Sequence, residues 1–186
     1  YVGIFSDSLS CTGYDSSLIS LIDLEGQTHF LDVDPETYNE VLNNFNRLTL
    51  AKEEYAYYWL KRDDYGAVLE WHLFKSTLSL EQVCFLFNRS YDYGSVLNLF
   101  KLTESIKMIP LRMFVRGLLA DQMLMHSFVQ IPASKRHHHS FPGGLLSHSL
   151  EVALITRQTV QSLSEVSKNE MEVAMVAGLL HDIGKT

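Results

Sequence analysis

At 186 residues with 46% hydrophobic side chains, the chain is long enough for one large domain or two small ones, and too apolar for an intrinsically disordered protein. A formal net charge of −7 excludes a surface coated with basic groups for nucleic acid. Two cysteines, Cys11 and Cys84, lack any zinc or redox spacing and read as buried free thiols of a cytoplasmic protein.

The N-terminal stretch predicts a short strand at Val2–Phe5. Two partly alternating apolar runs, Leu18–Leu24 and Thr28–Val33, flank Glu25-Gly26-Gln27 and read as a β-hairpin. Asp34 then caps a helix with Pro35 in its first turn and Tyr38, Val41, Leu42 and Phe45 on one stripe. Between residues 50 and 75 the pattern fits helix or strand. Ala67–Phe74 reads as a strand, and Tyr55, Tyr57, Tyr58 and Trp59 read as core in preference to a base-stacking platform.

The remainder reads as helices. Ser79 with Glu81-Gln82 starts one, and Tyr93-Gly94-Ser95 breaks it, with Ser95 capping the next. Pro110 suits a helix start, and the apolar run from Met108 to Ile131 forms one helix ended by Ile131-Pro132. Arg112, Arg116, Asp121 and His126 interrupt that run and exclude a membrane span. The division expected is a mixed α/β region over 1–94 and a helical domain over 95–186. Charge is unevenly spread. Eleven acidic residues face four basic ones from Asp23 to Glu70, whereas six basic residues (Lys101, Lys107, Arg112, Arg116, Lys135, Arg136) face two acidic ones from Lys101 to Arg136. Positive charge thus collects just ahead of a histidine run, where it would draw in an anion.

Five of the eight histidines lie between His137 and His181. Pro142-Gly143-Gly144 is a break permitting close backbone approach, followed by a helix from Leu145 to about Leu163 that carries His148. A second helix, Met171 to Ile183, carries His181 and Asp182 beside the small residues Ala177 and Gly178. Adjacent helical residues diverge by about 100°, so His181 and Asp182 would grip one centre from two sides while His148 closes from the neighbouring helix. No Ser-His-Asp pattern or phosphate-cradling P-loop competes with this reading.

The stretch Pro132-Ala133-Ser134, His138-His139, Gly143-Gly144-Leu145-Leu146-Ser147-His148-Ser149-Leu150-Glu151-Val152-Ala153 and Ala177-Gly178-Leu179-Leu180-His181-Asp182-Ile183-Gly184-Lys185 resembles the HD superfamily of metal-dependent phosphohydrolases. Two branches are similar: the HD region of TraI-type conjugative relaxases and their helicase relatives, and the HD 3′-to-5′ exoribonucleases. The resemblance implies His148, His181 and Asp182 as ligands of a divalent metal (manganese, magnesium, iron or zinc). It implies His138 and His139 as further site histidines, holding a second metal or a phosphate oxygen, and Lys185 as a phosphate contact. Lys135, Arg136 and Arg112 would attract the substrate, a nucleic acid or nucleotide. The fold implied is mainly α: an HD-type bundle truncated before its last aspartate ligand, preceded by the hairpin-bearing region. An exoribonuclease would carry a five-stranded OB-type barrel ahead of the helices. With one hairpin legible, the relaxase-like branch is preferred. A non-catalytic HD scaffold binding nucleic acid or a protein is the competing reading.

Overall fold

The computed structural model describes residues 2–11, 17–23, 25–39, 55–65, 68–136, 138–163 and 165–186. The chain divides into two compact units, Tyr1–Cys84 and Phe85–Thr186. The helices break at residues 90–92, next to the boundary at residue 94 read from the sequence, and Gly94 lies in the first turn of the helix that follows.

The first unit holds an antiparallel sheet of five strands: β1 (Val2–Cys11), β2 (Ser17–Asp23), β3 (Thr28–Val33), β4 (Tyr55–Arg62) and β5 (Val68–Ser76). The β2–β3 hairpin pairs Ile19 with Leu31 and turns at Gly26, whose φ of 77° is open to glycine at no steric cost. The order β3-β2-β1-β4-β5 places β4 beside β1 after the β1-β2-β3 meander, which is a Greek key. Only one hairpin was expected, so three further pairings, β1 with β2, β1 with β4 and β4 with β5, correct that expectation, and β1 runs longer than the short strand foreseen. Their absence from the sequence pattern has a physical cause. β1 is central but carries Ser6-Asp7-Ser8 in mid-strand, where its register with β2 shifts between Phe5 and Leu9. β4 is apolar on both faces. Ala56, Tyr58 and Leu60 join Ile19, Leu21, Leu31 and Val33 in the core, while Tyr57 and Trp59 are buried opposite. With both faces buried, no period of two survives.

The aromatic group packs. Tyr57 stacks on Phe74 with ring centroids 5.7 Å apart and donates its hydroxyl to the Leu78 carbonyl at 2.6 Å, and Trp59 stacks on His72 at 5.8 Å. Burial pushes the Tyr57 phenol well above its ordinary range and raises the Cys84 thiol to about 11. The Asp34 carboxylate accepts from the Glu36 and Thr37 amides, both at 2.9 Å, as an N-cap does. The rest of the helix expected there, with Val41, Leu42 and Phe45, lies outside the described residues, as does the side chain of Cys11.

Six helices follow among the described residues: α1 (Leu80–Arg89), α2 (Tyr93–Ser105), α3 (Ile109–Ala120), α4 (Gln122–Gln130), α5 (Gly144–Gln161) and α6 (Lys168–Leu180). Ser79 and Gln82 cap α1 reciprocally. Asp92, not Ser95, caps α2, accepting from the Ser95 amide at 3.2 Å and its hydroxyl at 2.5 Å. The long apolar run is two helices. Asp121 ends α3 and caps α4, accepting from the Met123 and Leu124 amides at 3.0 and 3.1 Å. No helix among the described residues is long and apolar enough to cross a membrane.

Two carboxylates lock this unit. Glu104 takes the Arg116 guanidinium through both oxygens, at 2.8 and 2.7 Å. One of the six basic residues counted above is thereby committed internally. Glu172, buried on α6, accepts from the Lys107 and Met108 amides at 2.8 Å each, pinning the backbone that leads into α3, whose N-cap Met108 makes no side-chain cap bond. The core is built by Leu145, Leu146 and Leu150 of α5, Met175, Val176 and Leu179 of α6, and Phe128 and Val129 of α4. Each such side chain contributes about 1.5–3 kcal/mol by leaving water.

Candidate metal centre

The helix pair α5–α6 positions the histidine cluster. A side chain at Gly178 would meet the Thr156 hydroxyl at 2.9 Å and the Ala153 Cα at 3.2 Å, so α6 approaches α5 closely only because this residue is glycine. The capping box of Ser167 and Glu170 starts α6 at Lys168, and α6 ends at Leu180. His181 and Asp182 therefore sit just past the helix end, earlier than the expected end at Ile183, with a 3₁₀ turn over Ile183–Lys185 behind them.

His148, His181 and Asp182 bring one donor atom each within 4.8 Å of one another. Asp182 Oδ2 lies 3.3 Å from His181 Nε2 and 3.7 Å from His148 Nε2. The imidazoles of His148 and His181 stand 5.1 Å apart, nearly edge to face. His181 Nδ1 donates to the Gly178 carbonyl at 2.7 Å, which fixes the tautomer and leaves Nε2 a lone pair facing Asp182. Desolvation first, and then the neighbouring His181 and His139, hold His148 below its ordinary pKa and so favour its ligating, neutral form. The Lys185 hydrogen bond holds Asp182 below the usual carboxylate value. Two neutral imidazole nitrogens and one carboxylate suit a borderline divalent cation, so the donor set fits the metal that the sequence implies.

The other expected site residues divide. His139 joins a second group with His148 and Glu151 whose donor atoms also lie within 4.8 Å of one another. Glu151 was not foreseen, although its position one turn after His148 puts it on the same side of α5. Lys185 donates to Asp182 Oδ2 at 2.5 Å and to the Ala133 carbonyl at 2.9 Å, tying the segment before α5 to the end of α6. Lys135 and Arg136 are exposed on that segment. His138 is exposed and belongs to neither group, and its neighbour His137 lies outside the described residues. Arg112 is on α3 and is likewise in neither group.

The backbone supporting His139 is unusual. Its φ is 57°, sparsely populated for a residue with a Cβ, and its carbonyl accepts from the Ala133 amide at 2.9 Å. A Cβ on Gly144 would collide with that carbonyl oxygen, and Gly143, at φ 80°, leads into α5. Close backbone approach at this glycine pair was legible in the sequence. Gly144→Ala is expected to destabilise the helical unit by about 1–3 kcal/mol, as forced overpacking does. A denaturant melt would measure this, and unchanged stability would contradict the tight contact.

Residues 123–186, about a third of the chain, match a TraI-type family described as "Putative helicase". No curated protein and no solved structure matches the chain.

Proposed function

We propose that the helical unit is the metal-dependent phosphohydrolase centre of an HD-type protein acting on a phosphate ester of nucleic acid or nucleotide, within a larger relaxase- or helicase-like DNA-processing protein. The observation carrying this reading is the convergence of His148 on α5 with His181 and Asp182 at the end of α6, the His181 ring turned by its Nδ1 bond so that Nε2 presents a lone pair. A divalent cation bound there would supply an acidified water and polarise a phosphoryl oxygen. The protein's own groups do the rest. Asp182 balances the cation's charge, Lys185 offers an ammonium beside it, and the exposed Lys135 and Arg136 attract the phosphate chain. The half-exposed Phe141, its ring 5.8 Å from that of His139, offers a base a stacking face at the rim.

A second branch is favoured by a separate observation. Five antiparallel strands in Greek-key order precede the helices, and an exoribonuclease would carry such a sheet there, whereas the family match favours the relaxase-like branch. Incubation of the full-length protein with labelled single-stranded DNA or RNA and Mn²⁺, Mg²⁺, Fe²⁺ or Zn²⁺ separates them. Cation-dependent hydrolysis blocked by a chelator is the expected result, and stepwise release of nucleotides from an RNA 3′ end would select the exoribonuclease. Cation binding without turnover on any of these substrates would overturn the enzymatic reading in favour of a binding scaffold.

A further inference from the structure

Glu151 lies outside the ligand set expected from the sequence, yet its carboxylate Oε2 is 2.9 Å from His139 Nε2. An ionised carboxylate only accepts hydrogen bonds, so Nε2 carries the proton. The other ring nitrogen, Nδ1, is buried and has no hydrogen-bond partner. A proton on that nitrogen would leave a buried donor unpaired, whereas a bare lone pair costs less and remains available to a cation. The ring stands 5.3 Å from His148, which in turn stands 5.1 Å from His181, so His148 adjoins both of the other imidazoles. The strained backbone at residue 139, held by the Ala133 amide and by the missing Cβ of Gly144, indicates that this ring's placement matters.

We propose that Glu151 is a positioning residue: it holds the His139 ring in the tautomer that presents Nδ1 as a cation ligand. This rests on the metal-centre reading above and deepens it. A nitrogen bearing a lone pair cannot donate to a phosphate oxygen, so of the two roles open to His139 the structure assigns it cation binding.

The test is calorimetric titration of the 186-residue chain with Co²⁺, read beside the cobalt visible absorption. Glu151→Ala is expected to weaken Co²⁺ binding by roughly 10–100-fold, the range for losing a carboxylate behind a ligating histidine. Glu151→Gln, whose amide oxygen still accepts from Nε2–H, is expected to restore most of that loss. In a His139→Ala background, Glu151→Ala should add nothing further, because the two residues act through one ligand. The melting temperature of the metal-free protein should be the same in all variants carrying only the Glu151 change. Wild-type affinity in Glu151→Ala would overturn the proposal, and so would additive losses. Loss of a whole cobalt equivalent in both Glu151→Ala and Glu151→Gln would instead make Glu151 a direct ligand of a second cation. A wild-type chain that binds no Co²⁺ would remove the metal centre itself, an outcome distinct from any difference among variants.

Discussion

Replacing Asp182 by alanine is expected to abolish cation-dependent hydrolysis and to lower cation affinity by more than about a hundredfold, beyond what the loss of an outer supporting group costs. The carboxylate is the only acidic group in the His148–His181–Asp182 set, so its removal leaves two neutral imidazoles and a nearby ammonium facing an incoming dication. Stability should change little. A partly buried carboxylate is costly to desolvate, and Lys185 keeps its bond to the Ala133 carbonyl when Asp182 is gone. Asp182→Asn is the companion variant, since it preserves shape while removing charge. Calorimetric titration and circular dichroism on the same samples check both halves. Wild-type cation affinity in Asp182→Ala, with its fold intact, would remove this residue from the centre.

The largest effect on folding is expected from Glu172→Ala. Its two oxygens satisfy two amide groups on the segment leading into α3, at Lys107 and Met108. Truncation leaves both amides without a partner and opens a cavity on α6, costing about 2–4 kcal/mol, given that Lys107 is exposed. For a unit of this size the melting temperature should fall by about 10 °C or more. Glu172→Gln should fall between, because an amide offers one acceptor oxygen where the carboxylate offers two. Thermal unfolding followed by far-UV dichroism measures the series, and a melting temperature within a degree of wild type in Glu172→Ala would show that the contact is not structural.

What was legible in the sequence was local. Asp34 and Ser79 act within a few residues of themselves, Gly144 meets the His139 backbone five residues earlier, and their roles follow from spacing alone. The proximity of His148, His181 and Asp182 was legible because the helix period and a recognised pattern coincide on them. The strands were not, since β1 carries Ser6-Asp7-Ser8 in its middle and β4 is apolar on both faces, so neither shows alternation. Asp121 held a readable signal, an acidic cap within an apolar run, that the surrounding hydrophobicity obscured. Ser167-Lys168-Asn169-Glu170 was equally readable as a capping box, and it would have placed the start of α6 correctly. Glu172 carried no signal at all. The amides it caps lie more than sixty residues earlier, and only the packed fold brings them together.

The donors at the centre come from one short span of chain. From His139 through α5, the turn after Gln161 and α6 to Asp182, every candidate ligand belongs to a single helical hairpin and the strand of chain leading into it. Entropy of loop closure grows only with the logarithm of the length closed, and here the segment between the two helices is very short. Gathering the ligands therefore demands little ordering beyond what the packing of α5 on α6 already imposes. The centre should arise early as the chain folds, with the contacts of this hairpin among the first to form, and it should persist in partly unfolded states that have lost the distant contacts of α3.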